Sequence, residues 1–335
     1  MDTAPLLFAP LASRAFGERV AARLGCELAP LEERDYEGGE HKSRPLVSVR
    51  GRTVYVMQSL SGDAAGSAND RLNRALFLIA ALKDAGAARV TACFPYIAYA
   101  RKDRRSKERD PVNSRYVAQL IEAVGTDHVM VMDVHNLAAF ENAFRCSVDV
   151  LEAAPLLADR IVMENGGKDV TVVSPDFGGA KRAQRVQDLI GARAGTDVEF
   201  AVIEKRRDSG EVSGDLVIGP IAGRHAVIVD DLISAGTTLL RAVQACRAAG
   251  AKSVAAFATH GVFAPGVERL LGAGGPDRLY VTDTILPTRL TPPAGAQDRL
   301  VVLPASDLFA EALRRIGAGE SVVALREMER RPGKR

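Results

Sequence analysis

Short apolar, β-branched runs alternate with longer segments of helical periodicity along nearly the whole chain. The runs at 54–58, 89–93, 128–132, 170–174, 226–230 and 253–257 are predicted as strands. The segments 69–85, 112–124, 178–190 and 236–249 are predicted as helices, with C-terminal caps at Gly86, Gly125, Gly191 and Gly250. Because the strands are almost continuously apolar, helices should cover both of their faces, as in a parallel sheet with right-handed crossovers. The alternation therefore predicts a doubly wound α/β fold.

Two parts of the chain resemble each other. LKDAGAARVTACFPY, from Leu82, aligns with CRAAGAKSVAAFATH, from Cys246, and a Gly-Arg pair precedes the strand upstream in both copies, at 51–52 and 223–224. Alanine–glycine helix ends shared by unrelated α/β units are an alternative explanation, but similarity over a whole strand–loop–helix–strand unit favours a duplication. We predict two tandem doubly wound domains, 1–150 and 151–318. A basic tail follows at 319–335, and its last residues, MERRPGKR, are expected to be disordered.

Composition and charge exclude several classes of protein. The 335 residues include 44 Lys and Arg against 42 Asp and Glu, and a net charge of +2 is too even for a broad nucleic-acid-binding face. The four cysteines lie far apart without CxxC spacing, which argues against a zinc site or a disulfide framework. No apolar stretch approaches the ~20 residues of a membrane span, and the first residues are unlike a secretory signal. We expect a cytoplasmic protein that binds neither nucleic acid nor membranes.

The stretch AVIVDDLISAGTTLL at 226–240 carries the clearest chemical signal. An apolar strand leads into Asp230 and Asp231, and a loop of small residues then opens a helix. Helix N-termini attract anions, and paired acids at a strand end can hold a ribose diol directly or through Mg²⁺. Plain N-capping is the alternative use of such hydroxyls, but a cap needs no paired acids. We predict a phosphate-binding loop formed by Ser234, Ala235, Gly236, Thr237 and Thr238.

This loop resembles the phosphoribosyl-diphosphate loop of phosphoribosyltransferases and of ribose-phosphate pyrophosphokinases, also called PRPP synthetases. Over nearly the whole chain the sequence is similar to the second family, in the ordered motifs SVRG (48–51), ND (69–70), PYIAYARKDRR (95–105), MDVH (132–135), SPDFGGAKR (174–182), EKRR (204–207), ATHGVF (258–263) and VTDT (281–284). A phosphoribosyltransferase would be expected to have one such domain. The resemblance implies a fold of two phosphoribosyltransferase-like domains. It also implies an enzyme that transfers the β,γ-diphosphoryl group of ATP to the C1 hydroxyl of ribose 5-phosphate, giving PRPP and AMP.

The resemblance also implies roles for individual residues. His135 and Asp176 would hold Mg²⁺ on the ATP phosphates, and Lys205 and Arg207 would reach the transferring phosphates as catalytic residues. Imidazole is an uncommon Mg²⁺ ligand, so His135 either acts through water or favours Mn²⁺. The basic run follows the predicted strand DVEFAVIE and precedes DSGEVSGD, which has the composition of a mobile flap. Taken alone, such a histidine and such a basic run would be interpreted as a buried core residue and a solvated face.

In the family, the adenine base lies against PYIAYARKDRR and a loop from a neighbouring subunit. The corresponding ATP-binding residues here are Tyr36, Glu40, Arg101, Lys102 and Asp103. The sequence departs from the family at Gly38, where an acid is usual, and at Lys102, where glutamine is usual. Tyr36 can still stack on a base, and the other polar side chains can still hydrogen-bond. The resemblance implies a homo-oligomer, a dimer or a hexamer, with active sites shared between subunits.

Two alternative functions stay open at this point. A family member that has lost activity could serve as a regulatory subunit, although the motif residues are intact. A transferase that uses PRPP with a base would release diphosphate in place of AMP.

Regulation by phosphate and ADP is expected to be weak. Ser48 and Arg50 of SVRG are present, but Gly86 and Pro304 stand where allosteric family members place anion-binding serines. Glycine offers no hydroxyl and proline no N–H, so the corresponding anion site loses donors.

Overall fold

The computed structural model describes residues 5–208, 211–290, 292 and 295–327. These residues divide into two compact units. One comprises the described residues from 5 to 152 together with 306–325, and the other comprises those from 153 to 305 with 326–327. No helix among the described residues is long and apolar enough to cross a membrane.

The first unit is built around a parallel sheet. Its strands and helices, in chain order, are Leu6–Phe8 (β1), Arg14–Leu24 (α1), Leu31–Asp35 (β2), His41–Pro45 (β3), Thr53–Met57 (β4), Ala68–Asp84 (α2), Arg89–Phe94 (β5), Asn113–Ala123 (α3), His128–Met132 (β6), Leu137–Ala143 (α4) and Ser147–Leu151 (β7). In the described part of this unit, five parallel strands run in the order β1-β4-β5-β6-β7, while β2 and β3 form a separate antiparallel hairpin. Val54, Phe94 and Val131 of the strands are fully buried in the core. Burial of each such side chain contributes about 1.5–3 kcal/mol, which is why apolar runs form these strands.

The second unit repeats this plan with a longer sheet. Its elements are Ala154–Asn165 (α5), Val170–Ser174 (β8), Ala180–Ala194 (α6), Glu199–Asp208 (β9), Glu211–Ile218 (β10), His225–Ile233 (β11), Thr237–Ala248 (α7), Ser253–Gly261 (β12), Arg278–Thr282 (β13) and Leu300–Leu303 (β14). Its described strands follow the order β10-β9-β8-β11-β12-β13-β14, and all neighbours are parallel except β9 and β10. The strand β11 therefore lies in the middle of the sheet, and its carboxyl end opens at the edge where α/β proteins bind ligands.

The α/β fold class and the six strands predicted from apolar runs are confirmed, the strands as β4, β5, β6, β8, β11 and β12. Three predicted glycine caps, Gly86, Gly125 and Gly250, have the left-handed backbone of helix C-termini, with φ of 85°, 88° and 84°. The prediction for Gly191 is wrong. Helix α6 runs through it and ends at Gly195, where φ is 65° and the N–H donates to the Gly191 carbonyl at 2.9 Å.

The helix Ser306–Ala318 (α8) packs in the first unit, against α1. The ring of Phe309 lies edge-on to Phe16 with 5.5 Å between centroids, and Asp307 makes a bidentate ion pair with Arg23. The structure differs here from the sequence-based boundaries, which assign 306–318 to the second domain. The apolar face of α8 is buried against α1, and amphipathicity alone does not say which unit a helix covers.

The predicted basic tail begins inside ordered structure. A 3-10 helix spans Val323–Glu327, and Leu325 in it is buried. The segment MERRPGKR lies outside the described residues.

Matching hydrogen bonds in the two units support the duplication. At the start of a central strand, a glycine N–H donates at 2.8 Å to the carbonyl of the glycine that caps the following helix; the pairs are Gly51–Gly86 and Gly223–Gly250. In the strand after that helix, a valine N–H donates at 2.7 Å to an aspartate carboxylate, which also forms an ion pair with a cation near the end of the helix. The valine, aspartate and cation are Val90, Asp127 and Lys83 in the first unit, and Val254, Asp277 and Arg247 in the second. The repeated sequence thus corresponds to repeated contacts.

Candidate active site

Asp230 and Asp231 lie near the carboxyl end of β11. The Oδ1 atom of Asp230 accepts the N–H of Asp231 at 2.8 Å, and the Oδ1 atom of Asp231 accepts the N–H of Leu232 at 2.9 Å. Arg182 of α6 faces both carboxylates, with Nη1 3.6 Å from Asp230 Oδ1 and Nη2 3.5 Å from Asp231 Oδ2. The two predicted acids are therefore held by the local backbone and share one guanidinium.

Burial and mutual repulsion make this acid pair costly to ionise. Burial raises the pKa of Asp230, the charge of Asp231 raises it further, and Arg182 acts in the opposite direction. A ligand that donates hydrogen bonds to these two carboxylates, or a cation bound beside them, would stabilise their ionised form. The vicinal hydroxyls of a ribose are such donors, and so is a bound Mg²⁺ with its waters.

The small-residue loop after β11 is shaped by Gly236. This residue has φ of 74°, and a Cβ placed on it would lie 2.7 Å from Leu270 Cδ1. Only glycine fits both constraints. The first hydrogen bond of α7 runs from Leu240 to the Gly236 carbonyl at 2.8 Å, so the helix leaves the N–H groups of Thr237, Thr238 and Leu239 to other acceptors.

A cation accompanies this helix N-terminus. Arg269 donates to the Thr237 hydroxyl at 2.6 Å and to the Ala235 carbonyl at 3.2 Å, from a 3-10 turn that follows β12. Backbone N–H groups, two exposed threonines, the helix dipole and a guanidinium thus converge at one place. Such a group of donors suits a phosphate.

Asp176 stands just after β8 and caps the short 3-10 helix Phe177–Gly179. Its Oδ1 accepts the N–H of Gly179 at 3.1 Å, and its carbonyl accepts the hydroxyl of buried Ser174 at 2.6 Å. One carboxylate oxygen is thereby oriented by the backbone, and Oδ2 takes no part in that bond. Helix α6 follows directly and carries Arg182, so a single β8–α6 connection supplies both the predicted metal ligand and the partner of the acid pair.

The basic run EKRR lies within β9, although the sequence placed it after a strand. Residues 205–208 continue the strand, and 211–218 form β10, which pairs antiparallel with β9. The predicted flap, DSGEVSGD, includes residues 209 and 210, which lie outside the described residues. The side chains of Lys205 and Arg207 lie outside the described residues, and their catalytic roles stay predictions.

The MDVH motif follows β6 in the first unit. His135 is exposed, and the next residue, Asn136, caps α4 by accepting the N–H of Ala139 at 3.2 Å. The side-chain amide of Asn136 donates to Asp103 at 2.7 Å. The predicted metal ligand and one predicted nucleotide-binding residue are therefore brought to one place in this unit.

Lys102, which departs from the family pattern, has a partner in its own loop. Its ammonium lies 2.8 Å from Asp110, and the same carboxylate accepts the N–H groups of Ser106 and Lys107 at 3.1 Å. The hydrogen bond from Lys102 is the largest of the causes that lower the pKa of Asp110. Lys102 therefore closes the loop 102–110, and Arg101, which precedes this loop, is exposed.

Tyr36 and Glu40 bracket the turn of the β2–β3 hairpin. The Tyr36 N–H donates to the Glu40 carbonyl at 2.8 Å, and between them Gly38 and Gly39 have φ of 82° and 88°. Both backbones favour glycine, which accounts for Gly38 where an acid is usual. Tyr36 is 42% exposed, and the guanidinium of Arg34 lies 5.1 Å from the centroid of its ring.

Among the described residues, no group of three or more His, Cys, Asp or Glu side chains could hold a metal ion by itself. Mg²⁺ in phosphate-transfer sites commonly takes one or two carboxylates and completes its shell with phosphate oxygens and water. A single oriented carboxylate at Asp176 fits that donor set.

Two site residues were missed by the sequence-based predictions. Arg182 belongs to the SPDFGGAKR motif, and its position two residues into α6, beside a predicted phosphate loop, is a signal that could have singled it out. Arg269 lies in no regular pattern, and its place beside Thr237 follows only from the fold.

Comparisons with known proteins agree over nearly the whole chain. Residues 6–125 match the N-terminal domain of ribose phosphate pyrophosphokinase, and residues 150–267 match the phosphoribosyl transferase domain. The chain is 35% identical to the ribose-phosphate pyrophosphokinase of Pasteurella multocida over 95% of its length and 98% of the relative's, and 38% identical to that of Granulibacter bethesdensis over 93% and 97%. The crystal structure of phosphoribosylpyrophosphate synthetase from Mycobacterium smegmatis superposes with a TM-score of 0.84 at 31% identity, covering 95% of this chain and 100% of that one. This chain therefore belongs to the ribose-phosphate pyrophosphokinase family of enzymes.

Proposed function

We propose that this enzyme transfers the β,γ-diphosphoryl group of ATP to the C1 hydroxyl of ribose 5-phosphate. The new bond joins the C1 oxygen to the β-phosphorus, the bond between that phosphorus and the α,β-bridging oxygen breaks, and the hydroxyl proton is released. The products are PRPP and AMP. One observation carries the proposal. The N-terminus of α7 at Gly236 has no side-chain cap, and it closely follows two acids in the chain, half-buried Asp230 and buried Asp231.

Ribose 5-phosphate uses both parts of the loop. Its phosphate accepts hydrogen bonds from the N–H groups and hydroxyls at 234–238, with Arg269 as a neighbouring charge. Its hydroxyls donate to Asp230 and Asp231, directly or through a metal-bound water. This arrangement fixes the sugar at both ends, so that C1 is oriented toward the donor.

Phosphoryl transfer of this kind depends on positioning and on neutralising the charge of the diphosphate. Mg²⁺, with Mn²⁺ as the alternative, supplies charge neutralisation on the ATP phosphates when bound, and Asp176 and His135 are the residues that would hold it. Lys205 and Arg207 would contact the transferring phosphates, Lys as a point charge and Arg as a fork of donors.

The nucleotide base would be bound by Arg101, Lys102 and Asp103 of one subunit and by Tyr36 and Glu40 of another. The exposed face of Tyr36 supports stacking, and its hairpin supports presentation to a second copy. We propose a homo-oligomer, a dimer or a hexamer, acting in the cytoplasm on these phosphorylated metabolites.

The test is a product analysis of the purified protein with ATP, ribose 5-phosphate and Mg²⁺. AMP and PRPP should form in equal amounts, and a chelator should stop the reaction. ADP in place of AMP would mean transfer of a single phosphate and would contradict the proposal. Absence of turnover with intact ribose 5-phosphate binding would favour a regulatory subunit, and diphosphate release from PRPP with a base would favour a phosphoribosyltransferase.

A further inference from the structure

The strand that carries Lys205 and Arg207 extends beyond the sheet. Its backbone pairs with β8 only from Glu199 to Val202, opposite residues 171–174. From Ile203 to Asp208, the described backbone pairing of β9 is with β10. The hairpin is thus a two-stranded arm at the end where the basic run lies, and such ribbons are marginally stable on their own. Positioning of its basic residues requires a further attachment.

One ion pair attaches this arm to the ribose 5-phosphate helix. Asp215 of β10 and Arg241 of α7 form two parallel bonds, Oδ1 to Nη2 at 2.7 Å and Oδ2 to Nε at 2.9 Å. The Asp215 side chain is only 11% exposed and that of Arg241 is 33% exposed. The fork geometry fixes direction as well as distance, and partial burial reduces screening by solvent.

The two ends of this pair lie at informative positions. Asp215 is the register partner of Lys205 in the β9–β10 ladder. Arg241 follows Thr237 by four residues, about one helical turn, so it lies on the same side of α7 as Thr237 of the predicted phosphate loop. The pair therefore joins the backbone opposite Lys205 to the helix whose N-terminus is the proposed phosphate site.

We propose that Asp215 and Arg241 are positioning residues that hold the β9–β10 arm, and with it Lys205 and Arg207, at a fixed place relative to bound ribose 5-phosphate. The proposal rests on the proposed function of Lys205 and Arg207. Misplacing a catalytic group by about 1 Å can lower a rate about 100-fold without removing any contact to substrate. Loss of the Asp215–Arg241 ion pair, which we call the clamp, should therefore lower kcat, whereas the loop that binds ribose 5-phosphate stays formed.

The experiment compares Arg241→Lys and Asp215→Asn with a control on the same helix, Arg247→Gln. Arg247 also pairs with an aspartate, Asp277, at 2.9 Å, but that pair lies at the other end of α7 and is exposed. Lysine keeps the charge of Arg241 and loses the fork, so it tests geometry rather than charge. The readouts are kcat, KM for both substrates, binding of ribose 5-phosphate by calorimetry, and thermal unfolding.

We expect Arg241→Lys and Asp215→Asn to lower kcat about 10- to 100-fold, with ribose 5-phosphate affinity changed less than about threefold. Arg247→Gln should keep kcat within about twofold at a similar loss of thermal stability. Unchanged kcat in both clamp variants, or a fall in kcat matched by Arg247→Gln, would overturn the inference. If Asp215→Asn fails to fold, Arg241→Lys decides alone. Failure of the wild-type protein to make AMP would instead count against the proposed function.

Discussion

The two units begin their corresponding helices in different ways. In the first unit, α2 has a complete capping box: Ser67 Oγ accepts the N–H of Asp70 at 3.2 Å, and the Asp70 carboxylate accepts the N–H of Ser67 at 2.7 Å. In the second unit, α7 starts at Gly236 with no side-chain cap. The first helix caps its N-terminus with its own Ser67 and Asp70 side chains, whereas the second has no side-chain cap at the place where the proposed phosphate site lies.

The strand ends differ in the same direction. Seven residues after Gly223 and Gly51 stand Asp230 and Gln58, respectively. Gln58 is buried and neutral, and its amide donates to the Ser59 carbonyl at 2.9 Å and the Ser13 hydroxyl at 3.2 Å. Where the first unit has a buried neutral amide, the second has two acids that repel each other. The duplicated framework is thus kept in both units, and the proposed ligand site occupies the positions where the second unit is locally less stable.

The largest expected effect comes from filling the space at Gly236. Gly236→Ala combines a left-handed backbone, at about 1–2 kcal/mol, with a contact against Leu270 that costs about 1–3 kcal/mol. We expect kcat/KM for ribose 5-phosphate to fall about 100-fold or more. The control is Gly223→Ala, which has the same φ of 74° but no atom within 4 Å of the new Cβ, and which should lose stability while keeping kcat. Equal losses in both variants would show that backbone strain alone is responsible.

The next effect tests whether the cations that act on the transferring phosphates belong to the second unit. Lys205→Ala or Arg207→Ala should lower kcat by about 100-fold or more, the scale for removing a charge that acts mainly in the transition state. Lys83→Ala, which removes the first unit's counterpart of Arg247, should leave kcat within about twofold. Steady-state kinetics decide between these outcomes. Full kcat with a raised KM for ribose 5-phosphate would assign Lys205 and Arg207 to simple binding.

A stability measurement tests the cost of the acid pair. The folded-state pKa of Asp230 is raised, so its contribution to stability is greatest below the ordinary carboxyl pKa and is lost as pH rises through the folded value. Asp230→Asn should therefore raise the free energy of unfolding of the unliganded protein by roughly 1–2 kcal/mol at pH 8, and by less at pH 5. Denaturant unfolding at the two pH values measures the difference. A gain that does not depend on pH would remove ionisation as its cause.

The smallest expected effect concerns regulation. Gly86 has φ of 85°, and a Cβ on it would lie 3.2 Å from Arg50 Nη1, so Arg50 already packs where a serine side chain would begin. Loss of hydroxyl and N–H donors at Gly86 and Pro304 should weaken an anion site about 10- to 100-fold. Titrating inorganic phosphate to tens of millimolar at fixed Mg²⁺ should change AMP release little. Strong activation by phosphate, with ADP inhibition not competitive with ATP, would mean that other residues rebuild the site.

The framework was largely predictable because it depends on buried apolar runs and on glycine caps. Strands such as β6, HVMVM, have apolar or buried side chains throughout, and the caps at Gly86 and Gly250 repeat in sequence as they repeat in structure. The prediction of a helix end at Gly191 was wrong because a glycine inside a helix costs only about 1 kcal/mol, which tertiary packing overcomes. Strand β1, with three residues, is too short to show a period.

Spacing alone could predict the candidate site only where its residues are contiguous. Asp230 through Thr238 lie on one strand–loop–helix connection, so their spacing carries the geometry. Arg269 joins Thr237 from 32 residues away, and the Asp215–Arg241 pair spans 26 residues. Such pairs depend on which strands become neighbours, and hydrophobic periodicity carries no information about that choice.

The return of α8 to the first unit has a consequence for biosynthesis. The patch of α1 around Phe16 is covered by a helix that leaves the ribosome after residues 153–305 of the second unit. At a synthesis rate of about 5–20 residues per second, α8 is made roughly 8–30 s after the rest of the first unit, and the apolar patch stays uncovered during that time. Residues 153–305 are in effect an insertion within the first unit. Cutting the chain between them would therefore separate α8 from α1 and give no self-sufficient N-terminal fragment.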